Sequence, residues 1–337
     1  MDKQLSKEIR KNSNINSFIV IIFYILLILV SLFGDNIAAL FIDPSSKNFD
    51  SVSMLIHYII LYVIGIPVIL CIFRILKKKD DFKILGGFRK PEKSAGWIAK
   101  WIIITIGLTY AMSYATTIIS TVIQLLTGVE LHPIEITSEN NALDKTINFF
   151  VVVILAPIFE ELLFRETIYR NCAKYGAWSM IIITGLTFGL WHGNYAQTLY
   201  TATLGAVACL LVAKTRSVFP AMLLHFCLNL IGGLQLIFIN FDDLDKMKNM
   251  TTISDMLELM DTFIAVLVFD VVIWGLMIAG IVLFIIELVK HRDSFKVENR
   301  IPEVSGARKT LTYLTAPVTI IMFVLLTGIT VLNAVSA

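Results

Sequence analysis

Nine long apolar runs constrain this chain more than anything else in it. A helix needs about 20 mostly apolar residues to cross a hydrocarbon layer about 30 Å thick. Stretches near 17–36, 53–74, 97–127, 146–172, 177–193, 196–213, 217–240, 261–289 and 311–335 meet or approach that requirement. The fifth and sixth are short and nearly abut at Gly193 and Asn194. Composition agrees, with 57% of the 337 residues hydrophobic, 16% charged and a mean hydropathy of +0.78. Soluble domains carry roughly 45–50% apolar and about 25% charged residues, so this chain has too few charges to cover a water-facing surface. The expected fold is an all-α, polytopic membrane helical bundle of about nine transmembrane helices.

The basic residues orient that bundle, because cytoplasmic loops are enriched in Lys and Arg. Threading nine spans from an inside N-terminus places on the inner side all but four of the 28 basic residues: Lys47, Lys145, Lys246 and Lys248. Those four share their loops with acids such as Asp43, Glu130, Glu135, Asp242, Asp243 and Asp245. The expectation is therefore a cytoplasmic N-terminus and an outside C-terminus. The net charge of +2 gives no reason to expect nucleic acid. The first run is too long for a signal-peptide core and lacks a small-residue cleavage site after it, so it reads as an anchor; no lipidation motif appears at either end.

The four cysteines, Cys71, Cys172, Cys209 and Cys227, show no spacing that suggests a disulfide framework or zinc ribbon. The basic loop from Lys77 to Lys93 reads as a topology determinant that can touch anionic lipid. His57, His132 and His291 fall at interfaces or in loops and receive no role. No internal repeat is evident. The chain divides into N-terminal transmembrane helices over 1–142, a helical core over 143–240 and a transmembrane extension over 241–337.

Polar groups inside spans cost about 2.5–3.5 kcal/mol each near a helix centre on insertion scales, which makes them functional candidates. The run Ala156-Pro157-Ile158-Phe159-Glu160-Glu161-Leu162-Leu163-Phe164-Arg165 sets two adjacent carboxylates in an apolar helix. Glu161 and Arg165 are four apart on one face and can pair, while Glu160 projects about 100° away. Pro157 removes a backbone donor and can kink the helix. Phe188 with His192, and His225 with Asn229, repeat the four-residue spacing on two further helices. At about 1.5 Å of rise per residue, Glu160 lies about 21 Å from the cytoplasmic helix end, His192 about 22 Å, His225 about 12 Å and Asn229 about 18 Å. All four can meet within the hydrocarbon layer.

Such a group can activate water and stabilise developing negative charge. Glu160, helped by His192, is placed to take a proton from water, with His225 and the Asn229 amide donating to a tetrahedral oxyanion. A zinc reading uses Glu160, His192 and His225 as three ligands around an open water position, although no HExxH is present. A proton relay for a transporter would use the same buried groups, but no repeated half with a second interrupted helix appears.

Taken together and in this order, Glu160-Glu161-x-x-x-Arg165, Phe188-x-x-x-His192 and His225-x-x-x-Asn229 resemble the CAAX protease and bacteriocin-processing family, also called Abi or type II CAAX prenyl endopeptidases. Flanking agreement includes Pro157, Phe164 and the run Ser217-Val218-Phe219-Pro220-Ala221. The resemblance covers about residues 143–240. It implies an intramembrane endopeptidase in which Glu160 and His192 activate water, His225 and Asn229 form the oxyanion site, and Glu161 with Arg165 supports them, without a metal. Glu166 departs from the pattern, standing where relatives often have Gly. The family also includes non-catalytic scaffolds and bacteriocin-immunity proteins. The expected partners are membrane lipid and a membrane-associated peptide or protein substrate. The abundance of Ile, Lys and Asn is that of low-GC bacterial sequence, so a bacterial plasma membrane is expected and a prenylated substrate is not.

Overall fold

The computed structural model describes residues 1–77, 82–133, 142–298 and 300–335. Lys78 and Lys79 of the basic run and the outer acid Glu135 lie outside the described residues, as do the side chains of Asp242, Asp245 and Lys248. The described secondary structure is helical throughout, with no strand, as the apolar runs require: a spanning segment must satisfy its backbone polar groups internally.

Among the described residues eight helices are long and apolar enough to cross a membrane: α1 Lys3–Ala38, α2 Phe49–Leu76, α3 Ala95–Thr127, α4 Ala142–Tyr175, α6 Tyr195–Thr215, α7 Phe219–Phe238, α8 Met260–Lys290 and α9 Pro317–Val335. The fifth expected span is instead α5, Ala177–Trp191, with only 15 residues. Its length of about 22 Å falls short of the usual hydrocarbon thickness, yet it still connects the two ends of the bundle. At one end, Lys174 bonds Glu8 (2.6 Å), Trp178 donates to the Phe295 carbonyl (2.8 Å), Lys214 donates to the Lys296 carbonyl (2.5 Å) and Arg10 to that of Thr315 (2.9 Å). At the other, Asn333 donates to the Gly193 carbonyl (2.9 Å), Tyr195 to that of Leu131 (3.0 Å) and the His132 N–H to that of Ala334 (2.9 Å). Among the described residues the eight long helices and the short α5 thus alternate between two ends, and Lys3, which starts α1, and Val335, which closes α9, lie at opposite ones.

The tight hairpin of α5 and α6 explains how so short a helix suffices. Gly193 adopts φ +62°, a left-handed conformation that costs glycine little, and the Asn194 side chain accepts from the Ala196 N–H (3.1 Å) to start α6. One turn apart on α5, Gly185 and Gly189 lie directly against the α6 backbone: an added Cβ would stand 2.7 Å from the Ala202 carbonyl oxygen at Gly185 and 2.4 Å from that of Thr198 at Gly189. Small residues of this kind allow close helix approach within a membrane.

Helix α1 begins well before its apolar run because Asn12, Ser13, Asn16 and Ser17 point inward. Asn16 donates to the Ile168 carbonyl (3.0 Å) and accepts from Asn171 (2.7 Å). Ser13 and Ser17 meet the Thr319 hydroxyl at 2.6 and 2.8 Å. This polar row ties α1 to α4 and α9, so the C-terminal helices pack into the same bundle as the core. Helix α8 lies along α3, where Lys100 and buried Glu287 form an ion pair at 2.5 Å.

Replacing Gly185 with Val would force the α5–α6 backbones apart. The expected loss is about 1–3 kcal/mol, the usual range for overpacking, seen as a lower thermal midpoint of the purified protein in detergent; an unchanged midpoint would contradict this packing.

Candidate active site

Helix α4 is built to present its two glutamates from an irregular backbone. Wide π-helical turns cover Val151–Leu155 and Leu162–Tyr169, with α-helix between them over Ala156–Glu161. In the first π stretch the Ala156 N–H reaches back five residues to the Val151 carbonyl. In that register the Val152 carbonyl would look to residue 157, which is proline and has no N–H to give. Asn229 of α7 fills the vacancy, its Nδ2 donating to the Val152 oxygen at 2.8 Å. The kink expected at Pro157 is thus realised as a π turn, a feature common at functional sites.

Glu161 and Arg165 form the expected pair, Oε1 to Nη1 at 3.0 Å, with neither side chain exposed to solvent. The same Glu161 Oε1 accepts from His225 Nδ1 at 2.9 Å. Arg165 lies over the Phe188 ring, 4.1 Å from its centroid, a cation–π contact that gives the buried guanidinium a second electrostatic partner. Because Nδ1 of His225 donates to a carboxylate, its Nε2 is the nitrogen left to face the site. That Nε2 stands 4.0 Å from Glu160 Oε2. The gap is too long for a direct hydrogen bond and suited to a polar atom bonded to both.

His192 enters differently. Its Nδ1 donates to the Phe188 carbonyl at 2.8 Å, which fixes the tautomer with Nε2 free to accept. The Phe188 ring stands edge-on between the two histidines, with centroids 4.9 Å from His192 and 5.8 Å from His225. Glu160, Glu161, Arg165 and His225 are therefore in one contact chain, His192 adjoins it across Phe188, and Asn229 sits one turn beyond His225, facing the α4 backbone. Glu166 is buried and faces away from Glu160, accepting from the Gly87 N–H (3.0 Å) and pairing with Arg170.

Tyr62 of α2 joins this site although none of the three motifs points to it. Its hydroxyl donates to Glu160 Oε1 at 2.8 Å, and its ring packs on Phe159 with centroids 6.3 Å apart. The signal in the sequence is faint: a tyrosine within an apolar span, shortly before Pro67. A π-helical turn over Ile59–Gly65 turns this part of α2 toward α4. Among the described residues, no three His, Cys, Asp or Glu side chains converge as a metal-ligand set. Glu161 and both histidine Nδ1 atoms are already committed to protein partners.

Residues 142–231 match the family model described as Type II CAAX prenyl endopeptidase Rce1-like. Nothing among curated proteins or solved structures matches the chain. The matched segment contains all seven motif residues; Tyr62 lies outside it.

Tyr62→Phe removes one hydrogen bond to a buried carboxylate, an interaction worth about 1.5–3 kcal/mol when one partner is charged. The expected result is a fall of about tenfold or more in kcat with KM and the thermal midpoint little changed. A variant as fast as the parent protein would remove Tyr62 from the site.

Proposed function

From the match of residues 142–231 to the type II CAAX prenyl endopeptidase family model, we propose that this chain hydrolyses a peptide bond of a membrane-associated peptide or protein by a glutamate-based mechanism. The observation that carries the reading is the division of labour between two adjacent glutamates. Glu161 is paired through Oε1 with both Arg165 and His225, whereas Glu160 has one oxygen held by Tyr62 and the other turned toward His225 Nε2. A base needs a carboxylate oxygen that no cation has neutralised, and Glu160 Oε2 is that atom.

Glu160 takes a proton from water as the water oxygen attacks the scissile carbonyl, with the free Nε2 of His192 assisting. The carbonyl oxygen gains negative charge, which a protonated His225 offsets through Nε2–H. Glu161 braces the imidazolium at Nδ1, as a carboxylate commonly orients a catalytic histidine. The second Nδ2 hydrogen of Asn229 supplies another donor to the same oxyanion. The proton held by Glu160 then passes to the leaving amine. Each step is written with groups of this chain and water alone. The charge distribution favours placing the end that carries the N-terminus, Arg89, Arg170 and Arg216 in the cytoplasm of a bacterial cell.

Purified protein in liposomes, incubated with a library of membrane-anchored peptides read by mass spectrometry, tests this reading. Glu160→Gln and His225→Ala are expected to lose cleavage by a factor of about 10² or more, and Asn229→Ala by about 10² to 10³, with all three proteins still folded. Cleavage by the parent protein is expected to survive chelation without stoichiometric metal. Undiminished cleavage by both the Glu160 and His225 variants would overturn the proposal.

A further inference from the structure

A second polar site lies at the end of the bundle that carries the N-terminus. A cleft of about 420 Å³ opens between the loop before α3, the last turns of α4 and α6, and the segment after α8. Five of its lining residues are basic, Lys83, Arg89, Arg170, Arg216 and Arg300, and one is acidic, Glu298. Arg216 and Arg300 share a single Glu298 oxygen, at 2.8 and 3.4 Å, and hold that carboxyl below its ordinary range. Glu166 lies behind Arg170 and Glu92 beside Arg89. Counting all three acids against the five bases still leaves an excess of two positive charges, and guanidinium groups have more donors than these carboxylates occupy.

The backbone around the cleft is held in an unusual form. Among the described residues only two without a glycine's freedom have positive φ, Leu85 at 66° and Arg216 at 57°, and both border this cleft. Arg216 closes α6 in the left-handed position where glycine is the usual occupant. Outliers of this kind persist where surrounding structure enforces them, and they gather at binding sites. Enforcement is visible here: Arg89 Nε donates to the Arg216 carbonyl at 2.6 Å, and the Val218 N–H donates to that of Gly87 at 3.0 Å. Arg170 is aimed by the Phe82 ring beneath it, 5.3 Å from the guanidinium to the centroid. It is also aimed by Gly86, where an added Cβ would stand 2.6 Å from Arg170 Nη2.

We propose that this cleft, framed by Arg170, Arg216 and Arg300, binds a phosphate-bearing anion, either the headgroup of an acidic phospholipid or a soluble phosphate ester. Planar guanidinium groups converging on a concave surface match the geometry of phosphate oxygens, and the cleft lies at the end of the bundle where headgroups would surround it. The site is separate from the glutamate centre, and its occupancy does not depend on the protease reading.

Binding is measured on the full chain in nanodiscs of phosphatidylcholine with and without phosphatidylglycerol, by native mass spectrometry, and on the detergent-purified chain with glycerol 3-phosphate, by calorimetry. Two variants accompany the parent protein. Arg216→Gly removes the guanidinium while relieving the left-handed backbone, so its thermal midpoint is expected to hold or rise; Arg300→Gln neutralises a half-exposed side chain. Saturable retention of one phosphatidylglycerol, weakened about tenfold or more in each variant, identifies a lipid headgroup as the ligand. Saturable binding of glycerol 3-phosphate with the same weakening, and no preference for phosphatidylglycerol, identifies a soluble ester. Variants that bind either probe as tightly as the parent protein, or a parent protein that binds neither saturably, would overturn the proposal.

Discussion

The buried contact of Arg165 with Glu161 supports everything else at the centre of this protein. Charges withdrawn from water into a low-dielectric interior are costly, and removing one member of such a pair commonly destabilises by about 3–5 kcal/mol. Here the pair does more than cancel charge. Glu161 uses the same oxygen to fix His225, and Arg165 rests on Phe188, whose ring edges both histidines. Helices α4, α5 and α7 are thereby locked in one register, and Glu160 is left as the carboxylate of the two that no arginine pairs.

Much of this was legible in the sequence because helical spacing is strict. The four-residue intervals from Glu161 to Arg165, Phe188 to His192 and His225 to Asn229 each place two groups on one face. Less accessible was anything that depends on departures from regular helix. The use of Asn229 on the Val152 carbonyl follows from a π turn ending at Pro157, and Tyr62 reaches Glu160 from a π turn in α2. Spacing rules assume 3.6 residues per turn and cannot foresee either. The 15-residue α5 counted as a full span in the apolar pattern because hydropathy does not register how closely Gly185 and Gly189 let it lie on α6. Glu166, a departure from the pattern in the sequence, is held by Gly87 and Arg170.

The same helix that presents the glutamates also reaches the basic end of the bundle. Three residues separate Glu161 from Arg165, and one turn further Arg170 lines the cleft while Glu166 grips the loop at Gly87. Ser217, just ahead of α7, donates to the Arg89 carbonyl at 2.6 Å, so the start of the helix that carries His225 is seated on that loop as well. The polar interior therefore continues from the centre of the bundle to its N-terminal end through α4 and α7, with α1 and α9 closing one side through their row of asparagine, serine and threonine contacts.

The central claim is that Arg165 and Glu161 act as one unit. A double-mutant cycle on thermal unfolding in detergent tests it most directly, comparing Arg165→Met, Glu161→Gln and the two combined. Arg165→Met alone strands a buried carboxylate, and the added Glu161→Gln removes that charge, so the double variant should unfold at a higher temperature than Arg165→Met alone. Losses that simply add would show that the two residues contribute independently and would contradict the account.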